Sequence, residues 1–188
     1  MKYFLRIVLF LSVFAGAPCF AQQTRTESNH TIHANISMGN FHAGTGYSYE
    51  WAFAPKWTVV GSAWLKSEFF WGENFIVGNY SEYILHPAIS VEPRFYYNFN
   101  RRETRGKNTS LNSGSYLSTT FSCFIPSING KNGAYRDFFH YGIAPHWGMR
   151  RVYSNNLFLE FHTGLIFLMA PGEALVGPDI NLKFGYVF

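Results

Sequence analysis

Cysteine is almost missing from this 188-residue chain, which has only Cys19 and Cys123. Cys19 lies inside an expected leader, so no internal disulfide can form, and neither a CxxC pair nor a zinc-type spacing is present. Cys123 is therefore expected to be inert packing. Charge is scarce too: charged residues make up 14% of the chain, against about 25% in soluble domains. After the leader no run of 18 apolar residues occurs, which excludes a membrane-spanning helix. Without Lys2 and Arg6 the chain keeps 13 basic and 11 acidic residues. A balance that even calls for neither nucleic acid nor an acidic substrate.

The leader is read from residues 1–21. Lys2 and Arg6 precede an apolar run from Ile7 to Phe14, and small residues follow at Ala15, Gly16 and Ala17. Cys19-Phe20-Ala21 places small residues where a signal peptidase reads them, giving cleavage before Gln22. Acylation of Cys19, as in a lipoprotein, is the alternative, and Pro18 fits it badly. Residues 22–188 then suit one domain.

What the chain has in quantity is aromatic side chains, 20% of the total, while its mean hydropathy is close to zero at −0.06. They recur with period two. From Tyr83 to Phe99 one face carries Leu85, Pro87, Ile89, Val91, Pro93, Phe95, Tyr97 and Phe99. The other carries His86, Ala88, Ser90, Glu92, Arg94, Tyr96 and Asn98. Such a strand separates oil from something polar. Pro87 and Pro93 each remove a ladder donor, so a bulge or broken register is expected there. Seven further strands read the same way: Thr31–Gly39, Gly46–Ala54, Trp57–Lys66, Ser115–Phe124, Phe138–Tyr153, Leu157–Leu168 and Asp179–Phe188. The count is even, and the short turns Ala54–Lys56 and Ser154–Asn156 fall on one side. The long connections Ser67–Ser81, Ile125–Asp137 and Met169–Pro178 fall on the other. This asymmetry predicts an all-β fold, an eight-stranded antiparallel up-and-down transmembrane barrel with both termini in the periplasm. Asn100–Gly114, long and basic, is the exception on the short-turn side.

A soluble barrel would reverse the faces, with its apolar side inward. Here the polar face is built of small residues and few charges, which suits a narrow lumen better than a water-facing exterior. The inward charges balance: Glu50, Glu92 and Glu160 against Arg94, Arg150 and Lys183. Placed at similar depth, they are expected to pair into a polar plug. A gated ion path is the alternative, and it needs more open volume than eight strands leave. His86, His140, His146 and His162 also point inward, with lumen filler as the expected role and metal binding as the alternative. No metal or other cofactor is assigned. The segment Glu68–Tyr80 carries Phe69, Phe70, Trp71, Phe75 and Tyr80. It is expected to form a partner-contacting loop, or else to fold over the mouth or extend its strands. Ser127–Gly133 reads as a polar turn.

The terminal Phe184-Gly185-Tyr186-Val187-Phe188 resembles the C-terminal signal read by the barrel-assembly machinery, with Phe184, Tyr186 and Phe188 as its aromatics. Glu92-Pro93-Arg94-Phe95-Tyr96-Tyr97-Asn98 with its basic turn resembles small outer-membrane barrels of Bacteroidota. More broadly the chain is similar to OmpA/OmpX/OmpW-like barrels, without a peptidoglycan-binding domain. The resemblance implies the outer membrane of a Gram-negative bacterium, with membrane lipids, the assembly machinery and an envelope complex as partners. Neither motif is specific for function, and the role expected is structural or interactive, alone or as an accessory subunit of an envelope complex. A narrow solute pore and a lipid-modifying enzyme are the alternatives. For the enzyme, the outward positions are expected to hold no His and no acid, only Thr119, Cys123 and Thr163. His162-Thr163-Gly164 has glycine where a His-x-Ser deacylase has its nucleophile.

Overall fold

A computed structural model of the chain describes residues 26–37, 42–74, 78–128 and 138–188, with the backbone alone at 68–74, 78–83 and 173. The expected leader lies outside the described residues. Eight antiparallel strands close into a barrel in chain order: β1 (Asn29–Ser37), β2 (His42–Ala54), β3 (Trp57–Asn74), β4 (Gly78–Tyr96), β5 (Ser115–Phe124), β6 (His140–Val152), β7 (Leu157–Ala170) and β8 (Glu173–Val187). Closure is made by β1 against β8, with Thr31 opposite Val187 and Ser37 opposite Asn181. Among the described residues no helix is long and apolar enough to cross a membrane.

Alternation assigns the two faces as the sequence implies. Ile32, Tyr47, Trp51, Val91, Leu117, Tyr141, Leu165 and Phe184 all point outward and are exposed, Ile32 at 57%. Among the described residues, buried polar and charged side chains outnumber buried apolar ones two to one. The polar face thus lies inside, where burial of an unpaired polar group is costly, and the large apolar side chains lie on the outside. The outward face is also layered. Trp51, Phe53, Trp57, Tyr97, Tyr153, Tyr186 and Phe188 ring the rim where β1 begins and β8 ends, hereafter the terminal rim. Ile89, Val91, Leu117, Leu159 and Leu182 lie above them.

The prolines do not break the register as expected. Across β3–β4 the pairing is unshifted through Pro87 and Pro93. What lapses is the ladder on the other side. Between β4 and β5, Val91 pairs with Phe121 and Arg94 with Ser118, with no pairs at Glu92 and Pro93. Pro145 repeats the pattern, paired with Thr119 on β5 while the β6–β7 ladder skips Ala144 and Pro145. Each missing N–H thus faces a gap that costs no hydrogen bond. The one register shift in the β2–β3 pair lies at its turn, between Ala52 and Ala54.

Strand length also departs from expectation at the distal rim. β3 and β4 stay paired out to Asn74 and Gly78, beyond the outermost described β2–β3 pair at Glu68 and the first β4–β5 pair at Ala88. Of the readings offered for Glu68–Tyr80, strand extension holds over its described backbone, which forms a two-stranded ribbon. Its residues Phe69, Phe70, Trp71 and Tyr80 sit on strands, and Phe75 lies outside the described residues. Met169–Pro178 is likewise paired rather than looped, turning only at Pro171-Gly172.

The basic connection 97–114 folds under the terminal rim as a floor. It holds the short helix α1 (Phe99–Glu103) and a 3-10 turn, Ser110–Asn112. Phe99, expected on the outer face, instead turns under the barrel and is fully buried. Its ring stacks on Tyr96 at 4.8 Å, and Tyr116 completes the cluster. Leu111 packs against Val152, Phe158 and Val187. Two-way hydrogen bonds tie Asn112 to Glu27, from Glu27 N to Oδ1 at 2.8 Å and from Nδ2 to Glu27 O at 2.7 Å.

Candidate functional site in the lumen

Above the floor, the six inward charges meet in one layer. Arg94 donates from Nε and Nη2 to Glu92 at 2.9 and 2.8 Å, and from Nη1 and Nη2 to Glu160 at 3.0 and 2.9 Å. Arg150 Nη1 reaches Glu50 at 2.7 Å, and Lys183 Nζ lies 3.5 Å from Glu160. Thr58 and Tyr96 donate their hydroxyls to Glu50 at 2.6 and 2.9 Å. The guanidinium groups also stack, Arg94 over Tyr116 at 4.4 Å and Arg150 over Phe158 at 4.7 Å. Charges buried this deeply are tolerable because nearly every lone pair is met. The free space in this layer is about 10 Å³, room for about one water.

Toward the distal rim the lumen widens into a cavity of about 80 Å³. Histidines gather at its base. Each of His146-Trp147-Gly148 on β6 and His162-Thr163-Gly164 on β7 pairs its histidine with the other's glycine: His146 faces Gly164 and His162 faces Gly148. With no side chain opposite either ring, the imidazoles lie diagonally over one another, centroids 4.3 Å apart. Gly164 also lets the strands approach, since a Cβ there would strike the Pro145 carbonyl and His146. On its other side Gly164 faces Asp179 of β8. The Asp179 carboxylate lies 3.4 Å from His162 Nε2 and 3.9 Å from His146 Nδ1. His146 Nε2 lies 3.1 Å from Glu92 Oε1, joining this cluster to the charged layer.

Sequence reading placed His86, His140, His146 and His162 inside, and all four are buried. It missed His33, buried on β1 and lining the cavity, and His42, which also lines it. It missed Asp179 as well. The available signal was the doubled His-x-Gly, since two such tripeptides on paired antiparallel strands bring their rings together. On the outer face the expectation of no histidine is corrected by His30, on the outward side of β1. Its ring lies against Tyr49 and Phe188, and its Nδ1 shares a hydrogen bond with the Tyr47 hydroxyl. Phe184, Tyr186 and Phe188 are exposed, Tyr186 and Phe188 at the terminal rim and Phe184 a layer above it, opposite Leu159. Comparison with known protein families, with curated proteins and with solved structures returns no match to this chain.

Proposed function

We propose that this chain is an outer-membrane β-barrel of a Gram-negative bacterium that serves as a closed structural or interaction module. One observation carries the reading: an apolar outer belt with an aromatic terminal rim surrounds a lumen filled by the Arg94 clamp and sealed by the Phe99 floor. An apolar band flanked by aromatics matches a bilayer and its interface. Strands of 13 residues such as β2 and β6 exceed the 9–11 or so that cross the hydrocarbon core. The packed charge layer and floor argue against a solute pore. Interaction is assigned to the β3–β4 ribbon, which extends past the described pairs of both neighbouring strands. Phe184, Tyr186 and Phe188 support recognition by the barrel-assembly machinery, with an envelope complex as the partner of the finished barrel.

The test is fractionation of native cells followed by planar-bilayer recording of the purified protein. Expected are recovery with the outer membrane, a heat-modifiable band on gels and no discrete conductance steps. Recovery in the soluble periplasm removes the membrane reading, and steady conductance replaces the closed module with a pore.

A further inference from the structure

We propose that His146, His162 and Asp179 form a binding site for a divalent transition-metal ion of the zinc class. Their ligand atoms all lie within 4.8 Å of one another. They come from three adjacent strands, β6, β7 and β8, around the bare backbone of Gly164. Tetrahedral ligands at zinc distances stand about 3.3 Å apart. The His162 Nε2 to Asp179 separation of 3.4 Å already has that spacing. His146 Nδ1 stands 3.9 Å from the same oxygen, and with the whole set inside 4.8 Å an ion at about 2.0–2.1 Å from each ligand would draw the side chains inward by up to about 1.5 Å.

Two independent features point to an ion. The first stands behind His146. A ligating imidazole commonly donates its other N–H to a carboxylate, which fixes the tautomer and strengthens the ligand. Glu92 occupies that position at 3.1 Å from Nε2, and Arg94 holds Glu92 in place. In the ion-free chain His146 Nδ1 lies 3.0 Å from the Ala144 carbonyl and so donates to it; ion binding displaces that proton to solvent and frees the Nδ1 lone pair for the metal. The second feature is the cavity. His162 Nδ1, Asn35 Oδ1 and Asn181 Oδ1 are buried there without a hydrogen-bond partner. Orphaned polar atoms of this kind mark a missing solvent or ligand shell. Three protein ligands leave a fourth position, and a metal-bound water in a cavity of about 80 Å³ has the two amide oxygens as available acceptors, while His162 Nδ1, protonated once Nε2 ligates, is a donor to a further water. Two imidazoles and one carboxylate select zinc, copper or nickel over magnesium and calcium, which favour all-oxygen sets.

The full chain, carrying no polyhistidine tag, is purified in detergent, stripped with EDTA and titrated with Zn²⁺ by calorimetry. One ion per chain is expected. His162→Ala and Asp179→Asn should each weaken binding at least a hundredfold, and His30→Ala on the outer face should leave it unchanged. Glu92→Gln should keep the stoichiometry and weaken affinity about tenfold or more. For variants that fail to fold, the wild-type chain loaded with Cu²⁺ gives a second measurement by electron paramagnetic resonance, with coupling to two imidazole nitrogens expected. The absence of stoichiometric binding, unchanged affinity in the folded His162 and Asp179 variants, or a nitrogen count other than two overturns the site.

Discussion

Arg94 grips Glu160, 66 residues away, through two parallel N–H···O bonds of 3.0 and 2.9 Å. The strands that carry them, β4 and β7, are not neighbours in the sheet. The pair is therefore a strut across the lumen, and the same guanidinium holds Glu92 from its other edge. Such fork-to-fork pairing is specific to arginine.

Loss of that strut should be costly. Arg94→Met leaves Glu92 and Glu160 buried without their partner, and breaking a buried pair costs about 3–5 kcal/mol. Arg94→Lys should recover only part of this, because an ammonium cannot serve both carboxylates in the same plane. Urea unfolding of protein folded in vesicles measures it. A change under about 1 kcal/mol for Arg94→Met, the size of a surface pair, would show that water reaches the layer.

The floor should contribute on the same scale. Phe99→Ala empties the stack against Tyr96, and removing a buried phenylalanine costs about 3–5 kcal/mol. Limited proteolysis adds a local readout, since the connection 97–114 should be cut first in this variant. Equal resistance in variant and wild type would mean that Tyr96 and Tyr116 hold the floor unaided.

Substitution on the outer face tests the solvent it meets. Val91 lies midway up the apolar belt and Leu157 starts β7 at the terminal rim. In a bilayer Val91→Arg should cost about 2–4 kcal/mol and Leu157→Arg only about 0–1. Folding free energies in vesicles separate the two. Equal small costs at both positions would place water, not lipid, around the belt.

Much of this was legible from period-two alternation alone. It puts Glu50, Glu92 and Arg94 inside and Trp51, Val91 and Phe95 outside, because a strand has no third option. The rest needed information that period two lacks. Phe99 continues the outward row of β4 by count, yet the chain turns into α1 there and carries the ring under the barrel. Phe69-Phe70-Trp71 breaks alternation, so the ribbon reads as loop although its backbone stays paired. Pro93 reads as a fault, and only the three-strand register shows that it lies against a gap, as Pro145 also does. The His146–His162–Asp179 cluster depends on the registers of β6, β7 and β8 together, which no single strand encodes.

The two glycines of that cluster should differ in tolerance. A Cβ at Gly148 meets the far end of the Tyr116 side chain, whereas one at Gly164 meets the Pro145 carbonyl and the His146 backbone. A ring can swing and a ladder cannot. Gly148→Ala should cost about 1–3 kcal/mol, as overpacking does, and Gly164→Ala more. Parallel unfolding curves would show this, and the reverse order would place the freedom in the backbone instead.

The floor also bears on how the barrel comes together. Its seat is built from both ends of the chain: Glu27 ahead of β1, Val152 and Phe158 in the middle, and Val187 at the end of β8. A chain still missing β8 offers Leu111 only Val152 and Phe158, a seat without its third side. The floor therefore works as a latch that engages fully only after the first and last strands meet. Contacts of such long sequence separation form late and slow opening more than they speed closing, so a finished barrel is held shut from below while an unfinished one stays open to proteolysis.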